Sequence, residues 1–109
     1  MKIHEKISHQ ALENGVLNIH SLCRKSKDSG AGFLIIAASK DNHLVDVMCQ
    51  RLNESFKDLP QKDQAQDLIK SLRLVHEICL RDAKAQGFVK EYVQEMAKMK
   101  ATLDYVRDA

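Results

Sequence analysis

Two histidine–cysteine pairs are the residues of this sequence whose types and spacing could bind a metal ion. His20 and Cys23 in the first half, and His76 and Cys79 in the second half, both follow the pattern His-x-x-Cys. Residues three apart lie on one face of a helix, so each pair could present an imidazole and a thiolate together. If two such helices met across a twofold axis, the four side chains would form a tetrahedral Cys2His2 zinc site.

Packing explains the same four residues without a metal, and it is the reading that we expect to hold. Cys23 and Cys79 fall on the apolar faces of their segments, where a free cysteine behaves as a small hydrophobic residue. A duplicated segment would carry both pairs along without any ligand role. We therefore expect buried cysteines and no cofactor, with metal binding by the two pairs as the alternative.

The pairs belong to a longer stretch that occurs twice. Residues 17–33 read LNIHSLCRKSKDSGAGF, and residues 73–88 read RLVHEICLRDAKAQGF. Each copy contains His-x-x-Cys, then basic residues, then Gly-Phe; the pairs are offset by 56 residues and the Gly-Phe dipeptides by 55. The repeat predicts a helix, a glycine turn and a second helix, repeated once, with Gly87 ending the third helix.

Apolar residues recur at steps of three and four along four segments, which is the spacing of one helix face. With one proline and four glycines in 109 residues, few connections are expected. The sequence therefore predicts a single all-α domain over residues 1–109, a four-helix bundle or two stacked hairpins. The predicted core residues are Ile3, Ile7, Ala11 or Leu12, Val16, Ile19 and Cys23; Leu34, Ala38, Val45, Met48 and Leu52, with the charged Asp41 interrupting this face; Ala65, Leu68, Leu72, Val75 and Cys79; and Phe88, Tyr92, Met96, Met99, Leu103 and Val106.

The second of these segments is ambiguous at residues 33–38, whose sequence FLIIAA is apolar on every side. The run could form a strand, but no second strand candidate exists to pair with it, so we predict a helix. One helix continuing to about Phe56 is the simplest interpretation. Alternatively, Asp41 and Asn42 could cap a new helix that begins near His43.

Composition and charge narrow the classes of function. Hydrophobic residues make up 44% and charged residues 29%, which is typical of a globular chain. The longest apolar run is far shorter than the roughly 20 residues that span a bilayer, and the N-terminus does not resemble a signal peptide. Three cysteines without a secretory context favour a cytoplasmic protein. A net charge of +2 makes nucleic acid an unlikely partner, although the basic cluster Arg24, Lys25 and Lys27 keeps a nucleic-acid-binding regulator as an alternative.

Protein binding is the function that the sequence favours. No cysteine is expected to combine the lowered pKa and the exposed pocket that nucleophilic catalysis needs, so we do not expect an enzyme. Apolar residues outside the predicted core faces would need a cover, which a homodimer or another protein would supply. The predicted partner-binding residues are Ile35, Ile36, Val89 and Val93. The expected class is an adaptor, chaperone-like or regulatory subunit that self-associates. Alternatively, the second helix is central, and the other three bury the same residues within one chain.

Overall fold

Five α-helices make up the part of the chain that the structure describes. The computed structural model describes the backbone of residues 2–25 and 30–98, and the side chains of residues 9–24 and 30–98. The helices are α1 (Lys2–Lys25), α2 (Gly30–Ala38), α3 (Asn42–Phe56), α4 (Lys62–Arg81) and α5 (Ala83–Ala97), and no strand occurs within these ranges. The all-α prediction is therefore confirmed, and residues 33–38 are helical. The prediction of four helices is not confirmed, because the second predicted segment is divided into α2 and α3.

The division between α2 and α3 follows from Asp41. Its backbone is extended, and its carboxylate accepts a hydrogen bond from the Leu44 amide at 3.1 Å. An aspartate at this position satisfies an amide that the first turn of a helix otherwise leaves unpaired, which is worth about 1 kcal/mol. The single helix predicted for residues 33–56 was wrong, and the alternative in which Asp41 caps a second helix is correct.

The junction between α4 and α5 also depends on an aspartate and not on glycine. Asp82 caps α5, and its carboxylate accepts a hydrogen bond from the Lys84 amide at 2.9 Å. Gly87 lies inside α5, and apart from the adjoining residues and backbone of its own helix no described atom lies within 4 Å of the position that a Cβ would take. The prediction that Gly87 ends a helix was wrong, because a helix tolerates an interior glycine at a cost of about 1 kcal/mol.

Helix α2 is the centre of the fold. It contacts each of the other four helices, and eight of its nine residues are buried. Only Ile35 is partly exposed. A helix that is apolar on every side is expected in such a position, since it has no face to present to water. The sequence alternative of an enclosed second helix is therefore the arrangement that forms.

Helices α1 and α4 run antiparallel and lie close together at Gly15. A Cβ atom at this glycine would lie only 2.7 Å from Cγ2 of Val75. One turn further on, the Asn18 amide donates a hydrogen bond of 2.5 Å to the Ser71 hydroxyl. The missing side chain of Gly15 thus allows the two long helices to approach each other, and this pair forms one wall around α2.

The buried faces match the prediction best in α4, where all five predicted core residues are buried. In α5 the buried face is rotated: Ala85, Val89 and Val93 are buried, whereas Phe88, Tyr92 and Met96 are only half-buried. Five predicted core residues (Ile3, Ile7, Met99, Leu103 and Val106) lie outside the described side chains, as do Lys25 and Lys27. No helix in the described ranges combines the length and the apolar character needed to cross a bilayer.

Candidate functional site

The two His-x-x-Cys pairs lie at different levels of the α1–α4 wall. Asn18 faces Ser71 across this antiparallel pair, so the same register sets His20 and His76 about seven residues apart along the helix axes. At 1.5 Å per residue this is a separation of roughly 10 Å. No group of three or more His, Cys, Asp or Glu side chains among the described residues is arranged to hold a metal ion.

Each histidine has a separate local role in the structure. Nδ1 of His76 lies 3.2 Å from the Ala37 carbonyl oxygen, and Nε2 lies 2.7 Å from Oδ1 of Asn42. A carbonyl oxygen can only accept, so Nδ1 of His76 is the donor of the hydrogen bond to Ala37. His20 is half-buried, and its Nδ1 lies 3.4 Å from the Tyr92 hydroxyl. His76 therefore ties α4 to the end of α2 and the start of α3, while His20 faces α5.

The three cysteines are buried, free thiols. Burial raises the pKa of the Cys79 thiol to about 11, and the nearby Asp82 carboxylate acts in the same direction. Burial also raises the pKa of Cys49, where Arg73 partly opposes the shift and Asp46 adds to it. Protonated thiols are poor nucleophiles and poor metal ligands. The burial of the three thiols confirms the expectation that Cys23 and Cys79 are buried.

Most of the residues that the sequence nominated for partner binding are inside the chain. Ile36, Val89 and Val93 expose only 3%, 0% and 7% of their surface. Their burial follows from the central position of α2 and from the rotated face of α5, which packs against it. Ile35 is half-buried and is the nominated residue that a partner could contact most easily.

Ile35 and Val93 nevertheless belong to one open pocket between α2 and α5. The pocket has a volume of about 470 Å³, which is within the range of about 300–1,000 Å³ typical of ligand sites. Its floor is apolar, and its rim is formed by the turn after α2 and by the exposed side of α5. We call this site the α2–α5 pocket; its lining residues are Ile35, Ala38, Ser39, Lys40, Gln86, Lys90, Val93 and Gln94.

Two of the polar residues in the α2–α5 pocket donate hydrogen bonds to the last carbonyls of α2. The Ser39 hydroxyl donates to the Ile36 carbonyl at 2.9 Å, and the Gln86 amide donates to the Ala38 carbonyl at 2.9 Å. Together with His76 they satisfy three consecutive carbonyls that the end of a helix leaves without partners. The polar groups left for a ligand are therefore Lys40, Lys90 and Gln94.

Two lysines give the rim of the α2–α5 pocket a positive charge that no described residue pairs with. Within residues 9–24 and 30–98, neither Lys40 nor Lys90 forms an ion pair. No carboxylate is among the described residues that line the pocket. An exposed ammonium group beside an apolar surface favours a ligand that combines apolar and anionic groups.

A second open pocket of about 410 Å³ lies between α3 and α4 and provides a contrast. Its lysines Lys57 and Lys62 are accompanied by Glu54 and Asp63, and Lys57 pairs with Glu54 at 3.2 Å. Its charges are thus balanced within the chain, which leaves less for a ligand to neutralise. The α2–α5 pocket is the stronger candidate site.

Sequence reasoning named Ile35 and Val93 but missed the lysines. Lys40 and Lys90 are 50 residues apart and belong to no motif, so only the packing of α5 against α2 brings them to one rim. No family model matches this chain, and no curated protein or solved structure is significantly similar to it. The α2–α5 pocket is therefore interpreted from its own geometry.

Proposed function

We propose that this protein is a helical protein–protein interaction module and that the α2–α5 pocket receives an apolar side chain of its partner. The observation that carries the proposal is the pocket itself: an apolar floor of Ile35, Ala38 and Val93 that is open to solvent on the side of α5. Few residues usually dominate the binding energy of an interface, and they tend to be apolar or aromatic anchors in pockets of this kind.

The chemistry of the α2–α5 pocket favours binding over catalysis. The Ser39 hydroxyl donates to a backbone carbonyl and accepts from the Asp41 amide at 3.3 Å, so it has no general base beside it. The lining residues that the structure describes include no histidine, cysteine or carboxylate. Nucleophilic or acid–base catalysis needs such groups within hydrogen-bonding reach of one another.

The partner is either a second copy of the chain or a different protein, as expected of an adaptor or regulatory subunit. The apolar floor is small, and a single anchor contributes only part of what a stable interface needs. We therefore expect micromolar affinity for a short segment, with more surface around the pocket contributing in a complete complex.

The proposal is tested by selecting binders from a random peptide display library and measuring their affinity by fluorescence anisotropy. The blocking variant is Gln94→Trp, which places a large side chain on an exposed position at the rim of the pocket. The matched control is Gln64→Trp, an exposed glutamine on α4 that lines neither of the two pockets described.

We expect the selected peptides to share an apolar anchor, to bind the wild-type chain and the Gln64→Trp variant alike, and to lose binding to Gln94→Trp. Equal binding to both variants would contradict the proposed site. Sedimentation of the wild-type chain over a range of concentrations identifies the partner class. A dimer that Gln94→Trp dissociates would make a second copy the partner.

A further inference from the structure

We infer that the segment bound in the α2–α5 pocket is acidic, with one or two Asp or Glu residues beside its apolar anchor. This inference rests on the proposed function and names the chemistry of the partner. It follows from the positions of Lys40 and Lys90, which flank one apolar floor. Lys40 belongs to the turn after α2 and Lys90 to α5, so an anchor on the floor would have an ammonium group on two sides.

Lys40 and Lys90 form no ion pair with a carboxylate in the described part of the chain. Asp41 is the sequence neighbour of Lys40, but its carboxylate accepts a hydrogen bond from the Leu44 amide and does not line the pocket. Glu91, next to Lys90, is exposed and is also not among the lining residues. Carboxylates supplied by a partner would therefore meet two lysines that no lining group neutralises.

The end of α2 is the feature that could oppose an anion, because the C-terminus of a helix carries partial negative charge. Here the final carbonyls of Ile36, Ala37 and Ala38 accept hydrogen bonds from Ser39, His76 and Gln86. These donors reduce the negative potential that the carbonyls direct at the pocket. Helix α2 is also short, with nine residues, so its field is weaker at the pocket than the charge of the two lysines.

An acidic peptide fits this pocket better than a nucleic acid does. A nucleic-acid interface needs several clustered cations to displace counterions from the phosphates, and the α2–α5 pocket supplies two. No aromatic residue on which a base could stack is among the described residues of its lining. A peptide that presents an aliphatic or aromatic side chain beside a carboxylate satisfies both the floor and the rim.

The test uses the peptides selected from the random library, together with versions in which every Asp and Glu is replaced by Ser. Two charge-reversal variants of the protein are compared, Lys40→Glu and Lys90→Glu, with Lys70→Glu on the exposed side of α4 as the matched control. All three positions are exposed, so circular dichroism should show unchanged folding. Affinities are measured by fluorescence anisotropy at low and high sodium chloride concentrations.

We expect the library to enrich Asp and Glu next to the anchor. Each reversal at Lys40 or Lys90 should weaken binding by about fivefold, the effect of one exposed charge pair. Lys70→Glu should leave affinity unchanged, high salt should reduce the affinity of acidic peptides, and the Lys90→Glu variant should bind serine-substituted peptides as well as acidic ones.

The possible failures are distinguishable. Selected peptides that bind equally well after Asp and Glu are replaced, and that are indifferent to Lys40→Glu and Lys90→Glu, would overturn the acidic partner and leave the apolar anchor standing. Selection of no peptide that Gln94→Trp blocks would overturn the proposed function as well. Tighter, lysine-dependent binding to a short single-stranded oligonucleotide or to phosphatidylserine vesicles would replace the acidic peptide with a different partner class.

Discussion

Replacing His76 by leucine should destabilise the fold by about 2 kcal/mol. The substitution removes the hydrogen bond to Ala37 and the polar contact with Asn42, while an apolar side chain of similar bulk stays in the buried position. The Ala37 carbonyl loses its donor, and Ala37 itself is fully buried. Leaving such a group unpaired costs about 1–3 kcal/mol. Asn42 is exposed, so water can replace the ring there at little cost.

The equivalent substitution in the other copy of the repeat is the matched control. His20 is half-buried, and its one polar contact with a described side chain is a long one of 3.4 Å to the Tyr92 hydroxyl. His20→Leu should therefore cost about 0.5 kcal/mol or less, as expected for a partly exposed site with a weak bond. The two variants differ in what the imidazole contacts and not in the chemistry of the change.

Urea unfolding followed by circular dichroism gives both free energies of unfolding. The slope of the transition should be the same in the wild type and in both variants, because the surface exposed on unfolding is unchanged. Equal losses for the two variants, or a neutral effect of His76→Leu, would refute the argument that His76 satisfies a buried carbonyl at the end of α2.

Three further comparisons test the helix packing and the ionisation of a buried thiol. Gly87→Ala should stabilise the chain by about 0.5–1 kcal/mol, because the position is helical and has open space around it. Gly15→Ala should destabilise the chain by about 1–3 kcal/mol, because its Cβ would lie 2.7 Å from Val75 of α4. Thermal unfolding that shifts stability in the same direction for both variants would contradict this. Ile36→Ala should cost about 2–5 kcal/mol in urea unfolding, and Ile35→Ala should cost less and weaken peptide binding instead, so equal stability losses would argue against an enclosed α2. The pKa of Cys79 is about 11 in the folded chain against an ordinary 9.0, so its thiol ionises first in the unfolded state. The free energy of unfolding should therefore fall as pH rises from about 9 to 11. A Cys79→Ala variant should lose less stability over that range, and parallel curves for the two proteins would show that the thiol is not the cause.

The prediction of helix faces succeeded where one apolar stripe was dominant. Helix α4 has a single run of apolar residues at steps of three and four, and all of its predicted core residues are buried. Helix α5 contains two adjacent stripes, one through Phe88 and Tyr92 and the other through Val89 and Val93. Periodicity alone cannot choose between two neighbouring stripes of similar hydrophobicity. In the structure the stripe of smaller residues is the buried one, since valine side chains let α5 pack against α2.

The candidate site was predictable only in part. An entirely apolar segment at residues 33–38 indicated a buried surface, and Ile35 follows from that pattern. The roles of Lys40 and Lys90 depend on how a turn and a distant helix meet, and each lysine taken alone resembles any solvent-exposed lysine. Contacts between segments far apart in the sequence leave no local periodicity to detect.

The way in which α2 ends has a consequence for the order of folding during synthesis. Helix α2 has nine residues, fewer than the roughly 12–15 that an isolated helix needs to be even marginally stable in water. Two of the side chains that complete its last turn, His76 and Gln86, are supplied by α4 and α5. A nascent chain that has emerged only as far as α3 therefore lacks the two helices that cover much of its most apolar segment, and the carbonyls of Ala37 and Ala38 lack their donors. We expect this segment to expose apolar surface, and so to be prone to aggregation, until the chain has been made to about residue 93.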